Sequence, residues 1–145
     1  AGLSWITILK KREGYRQSFA DVNVNKLARF SDKKLESLLS NPDIVRNRLK
    51  VFSVRTNAQK FLENQSEFGS FSDYLWQFVD GKTVQNKWQS LKDAPATSPT
   101  SDALSKDLKK RGFKFVGSTI MYAYMQAVGM VNDHTTYCYR HKELT

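Results

Sequence analysis

With 145 residues, of which 40% are hydrophobic and 12% aromatic, the chain is long enough to bury a core as one domain over residues 1–145 and too apolar to be disordered. Its longest uncharged apolar run is too short to cross a bilayer, and its single cysteine excludes an internal disulfide, which favours a reducing, intracellular setting. Lys and Arg number 23 against 14 Asp and Glu, a formal net charge of +9 that favours a polyanionic partner or else reflects an ordinary solvated surface.

Apolar residues at helical spacing dominate the first half of the chain, and strand-like alternation is scarce. Ser4 is a typical N-cap for a helix from Trp5 to about Phe19 with one apolar and one basic face. Asn41 and Pro42 have the pattern of an N-cap followed by proline at the first helical position, so we expect the longest helix to start there and run toward Phe68. These patterns predict an all-α fold.

The second half combines an irregular segment with a strongly charged helix. Residues 82–100 carry two of the three prolines and little periodicity, so we expect them to lie irregularly along the surface. Ser101 is the expected N-cap of the next helix, and Gly112 is expected just past its end in the left-handed conformation. The side chains predicted to face outward from this helix are Lys106, Lys109, Lys110 and Arg111.

The segment Gly112 to Thr119 is a glycine-bounded hairpin that leads into an apolar helix, giving a helix-hairpin-helix over 101–128. Backbone N–H groups at the start of a helix attract an anion, and Gly117 has no Cβ to keep a phosphate at a distance. Three side chains add positive charge or hydroxyl donors: Lys114, Ser118 and Thr119. The same pattern also fits an ordinary turn between two packed helices.

Two further features have chemistry of their own. His134 and Cys138 place an imidazole and a thiol four residues apart, which suits two ligands of a tetrahedral zinc ion, although such pairs also occur by chance. Trp5 is either a core residue, as most tryptophans are, or a platform on which an extruded base stacks.

Four sequence blocks together resemble the bacterial 3-methyladenine DNA glycosylase I family. They are AGLSWITILKKRE followed two positions later by Tyr15, YLW at residues 74–76, SDALSKDLKKRGFKFVGSTI, and MQAVGMVNDH, whose last residue, His134, begins an H-x3-C motif. The resemblance covers almost the whole chain and is weakest at 82–99. It implies the helix-hairpin-helix glycosylase fold, double-stranded alkylated DNA as the partner, and hydrolysis of the N-glycosidic bond of 3-methyladenine to leave an abasic site.

The resemblance also implies roles for individual residues. Gly2 and Leu3 match a wedge that fills the gap left by the flipped nucleotide, and Trp5 matches an aromatic side chain that stacks on the methylated base. His134 and Cys138 match two of the four ligands of a structural zinc ion. The hairpin residues expected to hold the DNA backbone are Lys114, Phe115, Val116, Gly117, Ser118 and Thr119.

The chain departs from the family at its start. The other two zinc ligands, a Glu that reads the base edge and a pocket Tyr belong to a segment that we expect to precede Ala1, so no catalytic residue is assigned from the family. Other helix-hairpin-helix glycosylases place a catalytic Asp near the position of Asp133. Asp133 is a candidate for that role, and the alternative is a helix cap or a partner of His134.

Three interpretations of function therefore remain open. The first is a monomeric glycosylase of the bacterial cytoplasm, associated with the nucleoid. The second is a non-catalytic helix-hairpin-helix module that binds DNA, and the third is a plain helical bundle with a basic surface.

Overall fold

The computed structural model describes residues 3–144 and divides the chain into two compact units, Ala1–Glu63 and Asn64–Thr145. The described part of both units is predominantly helical, which confirms the all-α prediction, and its two strands comprise two residues each. Within residues 3–144, no helix combines the length and the hydropathy that a membrane crossing demands. The single domain stays a prediction, because compactness alone does not say how many parts fold independently.

The first unit consists of short helices followed by a long one, packed around aliphatic and aromatic side chains. Its helices are α1 (Trp5–Lys10), α2 (Arg12–Ser18), a 3-10 turn (Ala20–Val22), α3 (Val24–Ala28), α4 (Asp32–Leu38) and α5 (Arg48–Phe68), of which the last residues belong to the second unit. Its core is formed by Phe19, Leu27, Leu35, Leu38, Ile44, Val51 and Ala58.

The prediction of one continuous helix over residues 5–19 is wrong, because the helix is interrupted at Lys11. Lys11 has φ −94° and ψ 2°, and its N–H caps the carbonyls that end α1. Its ammonium group donates to the carbonyl of Pro42 over 2.6 Å. A Cβ on Gly14, one turn further on, would lie 2.4 Å from the Asp43 carbonyl oxygen. These contacts with a loop thirty residues away are tertiary, so local periodicity does not reveal the break.

The long helix also starts later than predicted. The Asn41 side chain accepts from the N–H of Asp43, two residues on, which is the geometry of an Asx turn rather than of an N-cap. The cap is instead Asn47, whose side chain accepts from the Lys50 N–H over 3.0 Å. Asparagine favours both motifs: Asn41 forms the Asx turn, and Asn47 forms the N-cap.

The second unit contains two long packed helices with shorter elements around them. These elements are α6 (Phe71–Trp76), a 3-10 turn (Gln77–Val79), β1 (Val84–Gln85), α7 (Pro99–Lys110), α8 (Ser118–Ala127), β2 (Val131–Asn132) and α9 (Tyr139–Glu143). The helices α7 and α8 pack through buried side chains: Leu104, Leu108, Met121 and Met125.

The helix α7 begins three residues before the predicted position. Ser98, rather than Ser101, is its N-cap, and Pro99 occupies the first helical position. Ser98 and Ser101 form a reciprocal capping box, in which each hydroxyl accepts from the other residue's N–H over 3.1 and 2.8 Å. Ser101 is therefore a buried part of the cap, with its hydroxyl also within 2.8 Å of that of Ser118.

Part of the segment predicted to be irregular forms a strap, residues 84–89, that pairs with residues 130–136. β1 and β2 are parallel, with Val84 opposite Val131. The pairing continues beyond the strands, where the Thr136 N–H donates to the Trp88 carbonyl over 2.9 Å. Two-residue strands have too few positions to show a period, so the sequence does not predict this pairing.

A buried polar side chain on α5 gives a prediction about stability. Asn64 is 2% exposed, and neither atom of its amide has a hydrogen-bond partner among the described residues. An unsatisfied buried amide costs about 1–3 kcal/mol. We therefore expect Asn64→Leu, which has the same number and branching of side-chain heavy atoms without the polar groups, to raise the free energy of unfolding in urea by about 1–2 kcal/mol. Asn64→Asp, which buries a charge instead, should lower it, and a loss of stability in the leucine variant would contradict the assignment.

Candidate functional site

The hairpin between α7 and α8 is held by a Schellman motif at the end of α7. Gly112 has φ +94°. Its N–H donates to the Lys109 carbonyl, and the Phe113 N–H donates to the Leu108 carbonyl, both over 3.0 Å. The prediction of a left-handed glycine just past the helix end is confirmed, and the chain leaves α7 in one defined direction.

Two buried side chains then tie the hairpin to the core. Phe113 and Val116 are each 8% exposed, and the Ser105 hydroxyl on α7 donates to the Val116 carbonyl over 2.6 Å. Lys114 and Phe115 lie between these anchors at the exposed tip. The structure thus brings the predicted DNA-binding residues of the hairpin together, but it buries Val116, whose side chain contributes to packing.

The start of α8 is the most open backbone of the hairpin. Gly117 is the N-cap, with φ −63° and ψ 154°, and no side chain caps the first N–H groups. A Cβ built on Gly117 would meet nothing within 4 Å. Neither the backbone conformation nor internal packing therefore requires glycine at this position. The uncapped N–H groups and the helix dipole favour an anion at this position.

Arg111 was predicted to face outward and does not. Its guanidinium bonds to Glu67 over 2.7 and 3.2 Å and to Asp107 over 2.7 Å, and it lies over the rings of Phe68 and Tyr74. Burial alone would raise the pKa of Asp107, but the bonds from Arg111 and Tyr74 lower it below its usual range. The guanidinium therefore serves internal packing, whereas the lysines before it on α7 are exposed as predicted.

His134 and Cys138 lie on a turn after β2 rather than on a helix, and they still face each other. The Nδ1 of His134 is 3.6 Å from the Sγ of Cys138. Two ligands of a tetrahedral zinc ion, with Zn–N of about 2.1 Å and Zn–S of about 2.3 Å, are also separated by about 3.6 Å. The pair fits two ligand positions. Over residues 3–144, no group of three or more His, Cys, Asp or Glu is arranged to hold a metal, and His141 Nε2 contacts the Asn86 carbonyl instead.

Asp133 is the centre of a hydrogen-bond network that the sequence does not predict. Its carboxylate accepts from Asn86 and Trp88 on the strap, over 2.6 and 2.8 Å, and from Gln126 on α8 over 2.7 Å. The Tyr122 hydroxyl adds a fourth hydrogen bond. Burial raises the pKa of Asp133, but these four donors together outweigh it and keep the pKa below its usual range.

This network bears on the two roles considered for Asp133. The carboxylate faces donors from both the strap and α8, and it directly precedes His134 in a cleft of about 700 Å³. Such an arrangement favours an organising role beside His134, while a catalytic role stays a prediction. The sequence did not indicate these donors. Asn86 and Trp88 lie on a segment without periodicity, and Tyr122 and Gln126 lie on a helix that the sequence predicts only as apolar.

The opening of the first unit presents its apolar side chains to solvent. Trp5 is 75% exposed, and no residue of α1 is buried. Ser4 caps α1 as predicted, accepting from the Thr7 N–H. Trp5 is therefore not a core residue of the described structure, and Leu3 is also exposed. Gly2, the other predicted wedge residue, lies outside the described residues.

Comparison with known proteins identifies the family. The methyladenine glycosylase family model matches residues 1–141. The chain is 44% identical over 138 residues to DNA-3-methyladenine glycosylase 1 of Escherichia coli K12, covering 95% of this chain and 74% of the relative. It is 41% identical to DNA-3-methyladenine glycosylase of Haemophilus influenzae, with 95% and 75% covered.

Solved structures give the same result. A crystal structure of 3-methyladenine DNA glycosylase I superposes with a TM-score of 0.90 at 48% identity, covering 95% of this chain and 76% of the other. The Staphylococcus aureus 3-methyladenine DNA glycosylase I superposes with a TM-score of 0.91 at 37% identity, with 96% and 74% covered. The chain belongs to the methyladenine glycosylase family.

Proposed function

We propose that this protein is a base-excision repair glycosylase that hydrolyses the N-glycosidic bond of 3-methyladenine in alkylated double-stranded DNA, leaving an abasic site. The observation that carries the proposal is the family match over residues 1–141, which includes the complete hairpin. The relatives at 41–44% identity are named for this activity. We further propose that it acts as a monomer in the bacterial cytoplasm, near the nucleoid.

The exposed ring of Trp5 suits recognition of the damaged base. Methylation at N3 makes adenine cationic, so its glycosidic bond is weakened and the leaving group needs little protonation. A tryptophan face attracts a cation, by about 2 kcal/mol when the pair is desolvated. Base recognition at Trp5 then contributes to catalysis, together with electrostatic stabilisation of the cationic sugar in the transition state.

The hairpin supplies the grip on the DNA backbone. The open N-terminus of α8 at Gly117 receives a phosphate, with Lys114 and Thr119 exposed beside it. The Ser118 hydroxyl is shared with Ser101, so it contributes less as a donor than the sequence implies. Leu3, exposed ahead of α1, is the proposed wedge together with Gly2.

A structural zinc ion is part of the proposal. His134 and Cys138 are separated as two zinc ligands require, and the ion would lock the turn after β2. Metal analysis of the purified full-length protein should find one zinc per chain, and His134→Ala should lose it. Full retention of zinc in that variant would remove His134 from the ligand set.

Release of free 3-methyladenine from methylated duplex DNA tests the proposed activity. The full-length protein should release the base, and Trp5→Ala should reduce the rate at least tenfold because the stacking surface is lost. Trp5→Phe keeps an aromatic face and should retain more activity. Leu91→Ala removes an equally exposed side chain in the second unit and serves as the control. DNA binding without base release would favour the non-catalytic module.

A further inference from the structure

Three lysines on the outer face of α7, here called the lysine stripe, are exposed and form no ion pair with any described residue. They are Lys106, Lys109 and Lys110. We propose that the lysine stripe is a second phosphate-binding surface, which extends the DNA contact from the hairpin back along α7. The inference rests on the proposed function and adds residues to its DNA interface.

The positions of the stripe follow from helix geometry. Leu104 and Leu108 define the buried face of α7, and residues 106, 109 and 110 lie opposite, within about 100° of one another around the axis. Lys106 and Lys110 are one turn apart, which is about 6 Å along the helix. Nucleotides of one strand rise by about 3.4 Å along the duplex axis, so the two ammonium groups span about two nucleotides.

The lysines of the stripe lack the close ion pairs that would neutralise them within residues 3–144. Among the described residues, Lys106, Lys109 and Lys110 form no ion pair. The neighbouring acid Asp107 is bonded to Arg111 and Tyr74. Asp102 also lies on the outer face, one turn before Lys106, and no ion pair joins them.

Arg111 differs from the lysines of the stripe in its ion pairs and in its exposure. In the sequence it belongs to the same basic run, but Glu67 and Asp107 neutralise it and its side chain is only 25% exposed. The basic run therefore contains one cation that is bonded internally, Arg111, and three lysines that face outward on the helix leading to the hairpin. Each outward lysine that neutralises a phosphate releases counterions, so the stripe predicts a measurable share of the salt dependence of DNA binding.

The salt dependence of binding to undamaged duplex DNA tests the inference in the full-length protein. The double variant Lys106→Gln/Lys110→Gln should reduce the slope of log K against log salt by about 1.8, from a contribution of about 0.9 per phosphate contact. Its melting temperature should change little, since both side chains are exposed and neither forms an ion pair among the described residues. An unchanged slope would overturn the inference.

Lys33→Gln/Lys34→Gln is the matched control, because it removes the same charge from exposed positions on α4. Its slope should stay within about 0.3 of the wild type, and a fall equal to that of the stripe variant would show a general charge effect instead. Base release from alkylated DNA separates the two proposals. Release with an unchanged slope rejects only the stripe, whereas a reduced slope in a protein that releases no base rejects only the proposed activity.

Discussion

Asp133→Ala will lower the free energy of unfolding by about 3 kcal/mol, measured by urea denaturation of the full-length protein. The substitution leaves side-chain donors from the strap and α8 without their acceptor, and each such loss costs about 1–3 kcal/mol where the group stays buried. Asp102→Ala removes an exposed carboxylate from α7 and should change stability by less than about 0.5 kcal/mol. A loss below about 1 kcal/mol for Asp133→Ala would contradict the organising role.

The same variant should have a distinct pH dependence. The native pKa of Asp133 is lowered, so the unfolded chain binds the proton more readily and the carboxylate stabilises the native state above the ordinary carboxyl pKa of about 3.9. That contribution disappears as the pH falls through the lower native value. The difference in the free energy of unfolding between wild type and Asp133→Ala should therefore have its full value at pH 7 and become smaller below about pH 4. A difference that is constant from pH 7 to pH 3 would show that the charge is not involved.

Gly117→Asp will weaken DNA binding at least tenfold without lowering the melting temperature. Gly117 has an ordinary negative φ and open space at its Cβ, so the fold accepts a side chain there. Aspartate is also a better N-cap than glycine, by a few tenths of a kcal/mol. Its carboxylate would occupy the N–H groups offered to the phosphate and repel it.

Two controls separate the parts of this effect. Gly117→Ala adds only a methyl group and tests how closely the phosphate approaches, while Gly117→Asn adds the aspartate shape without its charge. If the hairpin holds a phosphate, aspartate should be the most damaging of the three. Wild-type affinity in Gly117→Asp, measured by fluorescence anisotropy, would remove the hairpin from the DNA interface.

The features that the sequence predicted are those encoded by neighbouring residues. Gly112 after a charged helix specifies a Schellman motif, and Ser4 before an amphipathic run specifies an N-cap, because each depends on contacts within a turn. The hairpin was therefore predicted almost complete. The burial of the Val116 side chain was not predicted, because it depends on packing with α7, 11 residues earlier at Ser105.

The features that the sequence did not predict depend on partners far along the chain. Arg111 has the same local pattern as the lysines before it, but Glu67, 44 residues away, bonds it internally together with Asp107. In the sequence Asp133 has no evident partner, because its donors Asn86 and Trp88 lie on the strap, far away along the chain.

The pairing of the strap with residues 130–136 joins parts of the second unit that are far apart in the sequence. Its contacts join residues 47 positions apart, as between Asn86 and Asp133, whereas Ser105 and Val116 in the hairpin are 11 apart. Closing a longer loop costs more chain entropy and is slower. We therefore expect the hairpin to form early as a local nucleus, and the turn that carries His134 and Cys138 to reach its final geometry only when the strap pairs with it.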